Sequence, residues 1–143
     1  MVKLLARCCL AALLWCGVAG AQAADFVVIV SAKNPLSSMR AEQVAAIFLA
    51  QTGRFPGGEE AQALDLPLGS PLRDDFYRSI AARSPALMKA HWSKMVFTGR
   101  GHPPRELPNS AAVRRMVADN PGLIAYIDKS ALDSSVKAIQ VTP

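Results

Sequence analysis

Cysteine is the first thing this 143-residue chain lacks: it has three, Cys8, Cys9 and Cys16, all within its first two dozen positions. From Ala24 onward there is none, so disulfides, thiol nucleophiles and cysteine-based metal sites are excluded for that part. Histidine is almost as scarce, with only His91 and His102, too far apart in sequence to form a zinc-ligand pair. No four basic residues cluster, which removes the electrostatic footprint of a nucleic-acid binder. There is no Gly-x-Ser-x-Gly turn and no nucleotide-binding loop. Asp74 and Asp75 are adjacent, and on a helix adjacent side chains diverge by about 100°, a poor acid/base pair. The expectation is a protein that is not an enzyme and carries no cofactor or metal.

Long apolar runs are also missing. The longest, Cys8 to Val18, is interrupted by Gly17 and is shorter than the roughly 20 residues of a spanning helix. Lys3 and Arg7 precede it, and Ala21 and Ala23 follow at the small positions of a cleavage site. That order predicts a signal peptide over residues 1–23 and an exported, periplasmic domain over 24–143. An uncleaved anchor is the competing reading. Lipid attachment at Cys16 is disfavoured by bulky Trp15 just before it. Removing Lys3 and Arg7 from the 16 basic residues leaves 14 against 11 acidic ones, a mild net charge of +3.

Hydrophobic residues make up 51% of the chain, enough for a core without cross-links. Phe26 to Val30 is a continuous apolar run, the pattern of a strand covered on both faces. Val44, Ile47 and Phe48 fall on one side of a helix over Ala41 to Ala50. Gln62 to Leu66 reads as a short strand. Ser70-Pro71 and Ser84-Pro85 each put a cap before a proline, predicting helices to about Arg83 and Phe97. The first turns Leu72, Phe76, Tyr77 and Ile80 inward; the second turns Leu87, Met88, Trp92, Met95 and Val96 inward. A loop runs from Thr98 to Asn109. Ser110 then caps a helix with Val113, Met116 and Val117 on one face, ended by Asn120-Pro121-Gly122. Leu123 to Ile127 is a strand, Ser130 to Asp133 a capped turn, and Val136 to Val141 a last strand. Alternating strands and helices give an α/β class, with about four to five strands and helices on both faces.

The order of these pieces resembles the exported substrate-binding proteins of phosphate ABC transporters. The matching residues are Val28-Ile29-Val30 with Asn34-Pro35, Glu42-Gln43-Val44-Ala45-Ala46-Ile47-Phe48, Gly69-Ser70-Pro71-Leu72-Arg73-Asp74-Asp75-Phe76, and Asn120-Pro121-Gly122-Leu123-Ile124-Ala125-Tyr126. The resemblance implies a single lobe of the type 2 periplasmic-binding-protein-like fold. It also implies reversible binding of phosphate or a similar oxyanion, in transport or sensing. The chain departs from the family in length, about half. In place of Gly-Ser-Gly-Thr it has Gly69-Ser70-Pro71-Leu72, and Asp65-Leu66-Pro67-Leu68 upstream carries no arginine. Of that motif only Ser70 carries over.

The expected anion-binding residues are Ser31, Ser37 and Ser38 in the first βα connection, Ser70 and Arg73 at a helix start, and Arg100 in the basic loop. Each place has a plain structural reading beside the functional one: a polar turn, a capped helix, a solvated connector. Arg40 faces an anion or solvent. The other open function is a protein-interaction module that keeps the fold without a ligand site. Its partner would be a membrane transporter or sensor component, or a second copy of the chain.

Overall fold

The computed structural model describes residues 25–143. The expected signal peptide and the three cysteines lie outside the described residues. Twelve short elements follow in order among the described residues: β1 (Phe26–Ser31), β2 (Ser38–Arg40), α1 (Ala41–Phe48), β3 (Gln62–Asp65), α2 (Pro71–Ala81), α3 (Pro85–Phe97), β4 (Arg105–Glu106), α4 (Ser110–Asp119), β5 (Leu123–Asp128), a 3-10 turn (Lys129–Ala131), β6 (Val136–Ala138) and β7 (Gln140–Thr142). No helix among the described residues is long and apolar enough to cross a membrane.

Five strands form one sheet in the order β4-β3-β5-β1-β6. β3 is parallel to both β4 and β5. β1 runs antiparallel to β5, with Val28 opposite Tyr126 and Val30 opposite Ile124. β2 and β7 form a separate parallel pair. The continuous apolar run of β1 is explained by its place second from the edge, with both faces covered. Alternation sends Phe26 and Val28 to one face and Val27, Ile29 and Ser31 to the other. Phe26 meets Phe76 of α2 on the first face, 5.4 Å between ring centroids. The Ser31 hydroxyl meets the end of α4 on the second. Helices therefore cover both faces.

The scarce aromatics are concentrated. Phe76 stacks on Tyr126 at 4.0 Å and 7° between planes, with Phe26, Phe48 and Tyr77 packed edge-on or tilted around them. Such pairs add about 0.5–1.5 kcal/mol each beyond the area they bury. This cluster fixes α1 and α2 on the sheet.

Four expectations need correction. Leu87 and Val96 of α3 are exposed, as is Phe97, while Met88 and Trp92 face inward. A helix apolar around much of its circumference does not announce its buried side. The last strand is two, β6 and β7, because the chain changes partner at Ile139, whose N–H reaches Val28. The loop from Thr98 to Asn109 contains β4. Finally, the cap of α4 is Asn109, which accepts from the Ala112 N–H at 2.9 Å, and not Ser110.

Candidate functional site

Open α/β sheets hold ligands outside the carboxyl ends of their strands, where neighbouring strands leave in opposite directions. Here that place lies between β3 and β5. From β3 the chain crosses to β4 on one side; from β5 it passes β1 to reach β6 on the other. α2 and α4 both begin at this end, since each follows a strand of the parallel set. The Asp128 N–H, at the end of β5, donates to the Ser110 hydroxyl at 3.0 Å, which ties the start of α4 to the same rim.

A buried polar centre sits just beneath this rim. Asp65, the last residue of β3, is 1% exposed. Its carboxylate accepts from the Tyr77 hydroxyl at 2.6 Å, from the Arg73 Nε at 3.2 Å, from the Leu66 N–H at 2.8 Å and from the Tyr126 hydroxyl. Arg73, Tyr77 and Tyr126 are all buried too. The Arg73 guanidinium lies 5.3 Å from the centre of the Tyr77 ring. Burial pushes both phenols far above the usual tyrosine range, and the Asp65 charge pushes the same way. Burial by itself lowers the Arg73 pKa, but the Asp65 charge and then Tyr77 outweigh it, so the net shift is upward. Asp65 and Arg73 thus form an internal ion pair with two neutral phenols donating into it.

The structure divides the six expected ligand residues. Ser70 and Arg73 stand at the carboxyl end. Ser70 caps α2 by accepting from the Arg73 N–H at 3.4 Å. Arg73, expected to lend its charge to a ligand, turns inward to Asp65. Ser31 lies at the other end of the sheet, because β1 is antiparallel and its last residue passes beside the start of β5. Ser31 is 0% exposed, and its hydroxyl donates to the Ala118 carbonyl at 3.1 Å. Ser37 and Ser38 are exposed beside β7, beyond the β6 edge. Arg100 is exposed in the loop after α3, whose next residue, Gly101, packs against Ala50 and Met95. A Cβ at Gly101 would approach both to 3.2 Å, so this glycine serves packing. Gly99 has φ of 67°, a turn requirement. Arg40 pairs with Glu42 at the surface. The six residues therefore do not converge on one pocket.

Ser110 is the residue that sequence reasoning placed elsewhere. The sequence pattern predicts it as a cap, and its hydroxyl instead accepts from the Asp128 N–H at the end of β5. His91 Nε2 lies 3.0 Å from the Leu49 carbonyl and packs edge-on to Trp92. No group of three metal-ligating side chains occurs among the described residues.

No protein-family model matches the sequence, and no curated protein matches it. Solved structures do share the fold. A protein from Clostridium perfringens, described as a phosphate ABC transporter substrate-binding protein with bound phosphate, superposes with a TM-score of 0.66 at 19% identity. That match covers 82% of this chain and 44% of the other. An ABC-type phosphate transport receptor from Vibrio cholerae gives 0.65 at 17% identity, over 82% of this chain and 46% of that one. PstS from Borrelia burgdorferi gives 0.57 at 12%, over 82% and 47%. This chain thus spans less than half the length of these proteins, and its fold is that of a single lobe of the substrate-binding proteins of phosphate ABC transporters.

Proposed function

We propose that the chain is an exported solute-binding lobe that holds phosphate or a similar oxyanion reversibly, without chemistry, for a periplasmic transport or sensing system. One observation carries this reading: α2 and α4 both present their N-termini at the carboxyl end of the sheet, in a fold shared with a protein that holds phosphate. Helix starts offer unpaired N–H groups and partial positive charge, which suit an anion. Ser70 and Ser110 each accept a bond from a backbone N–H and keep their own O–H to donate. Ser31, Ser37, Ser38 and Arg100 have no part in this site. One lobe encloses about half of what a two-lobed cleft encloses, so affinity is weak unless a second lobe closes over the anion.

Calorimetry with sodium phosphate and sodium sulfate on the periplasmic protein tests this. A saturable heat that weakens at least fivefold in Ser70→Ala and in Ser110→Ala is the expected result. No heat at millimolar anion overturns it.

A second reading is favoured by the polar centre. Asp65 takes up the charge of Arg73, and Pro71 removes a donor from the start of α2. On that reading the lobe is an interaction module for a membrane transporter or sensor component, or for its own second copy. A stoichiometric partner, recovered from periplasmic extract, that survives both Ser70→Ala and high phosphate supports the module over the anion carrier.

A further inference from the structure

β4 is only two residues long and begins opposite Leu64, so the edge of β3 at Gln62 and Ala63 has no strand beside it. Several of the side chains lining that gap are small: Ala50, Ala61, Ala63 and Ala112. A cavity of about 920 Å³ results, between the edge of β3, the segment His102-Pro103-Pro104 and α4. Small-molecule sites span roughly 300–1,000 Å³. Its apolar surface comes from half-buried Ala50, Ala63, Pro104, Ala112 and Met116, laid over fully packed Ile47, Leu64 and Leu123.

The charges on its wall are not spent. Arg105 of β4 and Arg115 of α4 line the cavity, and neither has an ion-pair partner among the described residues. Asp119 lines it as well. Two guanidinium groups against one carboxylate leave a single positive excess. This cavity includes neither Ser70 nor Ser110, the hydroxyls proposed above for phosphate, and meets that rim only at Ala112 in the first turn of α4.

We infer that this cavity binds an amphipathic organic monoanion, its apolar body on the aliphatic floor and its carboxylate or sulfonate head between Arg105 and Arg115. Guanidinium groups match such heads with paired hydrogen bonds. The apolar floor provides the burial that a compact ion such as phosphate has no surface to use. Asp119 works against ligands carrying a second negative charge.

The probe is 8-anilinonaphthalene-1-sulfonate, titrated into the 15N-labelled periplasmic protein and followed by amide chemical shifts. Saturable shifts at Ala63, Leu107, Ala112 and Met116 are expected. The Arg105→Glu/Arg115→Glu variant, altered only at exposed positions, should weaken binding at least tenfold. N-phenyl-1-naphthylamine, the uncharged counterpart, should bind at least tenfold more weakly. Ala112→Phe, which fills the cavity, should abolish the shifts, and inorganic phosphate should leave the Ala63 and Met116 amides unmoved. Shifts confined to the exposed Leu87 and Phe97 patch, binding unchanged in the arginine variant, or displacement of the probe by phosphate would each overturn the inference. Calorimetry with phosphate reports on the rim separately.

Discussion

The two ends of the central sheet spend their polar groups differently. At the amino end of β5, side chains stitch the backbone together. The Ser31 hydroxyl donates to Ala118, and the Asn34 amide donates to the Pro121 carbonyl at 2.9 Å while accepting from the Leu36 N–H. Lys137 Nζ reaches the Asn34 carbonyl at 2.5 Å. At the carboxyl end, charge is buried at Asp65 and Arg73, while the starts of α2 and α4 above them keep spare donors. A hydroxyl beside a strand end therefore says little by itself. What matters is which end it occupies and whether its hydrogen bonds are already taken.

Removing the carboxylate of the polar centre tests that contrast most severely. Asp65→Ala leaves the Arg73 charge buried without its partner and should cost about 3–5 kcal/mol. Denaturant unfolding measures it. Asp65→Leu combined with Arg73→Met should recover only the part due to the unpaired Arg73 charge, because the buried Tyr77 and Tyr126 hydroxyls still lose their acceptor. A single variant within 1 kcal/mol of the parent would show that the centre is not the closed ion pair described here.

Alkaline pH probes the same centre without mutation. The Tyr77 and Tyr126 phenols titrate near pH 10 in the unfolded chain and well above it in the folded one. Their full contribution is present below pH 10. Above it the unfolded state loses protons that the folded state keeps, so stability falls with rising pH, by roughly 1 to 1.5 kcal/mol per pH unit for each phenol. Unfolding midpoints measured between pH 9 and 11.5 should drop along this slope, and Tyr126→Phe should flatten it by about half.

At that amino end the effects should be smaller and purely structural. Ser31→Ala leaves the Ala118 carbonyl short of a donor and should cost about 1–2 kcal/mol. It should leave phosphate calorimetry unchanged. A loss of anion binding in Ser31→Ala would return that end of the sheet to the candidate site.

Sequence reasoning reached the fold further than the site, for physical reasons. The β-branched run of β1 and the Ser-Pro helix starts are local signals, and each formed close to where it was expected. Strand direction is not local. Nothing in Phe26 to Ser31 says that it runs against its neighbours, and that one fact moves Ser31 to the far end of the sheet. The two- and three-residue strands β2 and β4 exist only because β7 and β3 pair with them. Asp65 and Arg73 lie on different elements, so their pairing carries no spacing signature. A buried-looking strand ending in an aspartate, followed by an inward-facing arginine on the next helix, was the available hint.

The finest comparison uses two helix starts of the same design. α2 and α3 each open with Ser-Pro, and each serine accepts from the N–H three residues on, at 3.4 Å for Ser70 and 3.3 Å for Ser84. Ser70→Ala and Ser84→Ala should therefore cost about the same, near 1 kcal/mol. Their positions differ: α2 begins at the carboxyl end of β3, whereas α3 begins where α2 has ended, after the left-handed turn at Ala82. Only Ser70→Ala should weaken phosphate binding. Equal stability losses with unequal calorimetric losses would separate a cap that also serves a ligand from a cap that only starts a helix. If both variants lowered phosphate affinity alike, the effect would trace to helix fraying, and the rim between β3 and β5 would lose its claim to the anion.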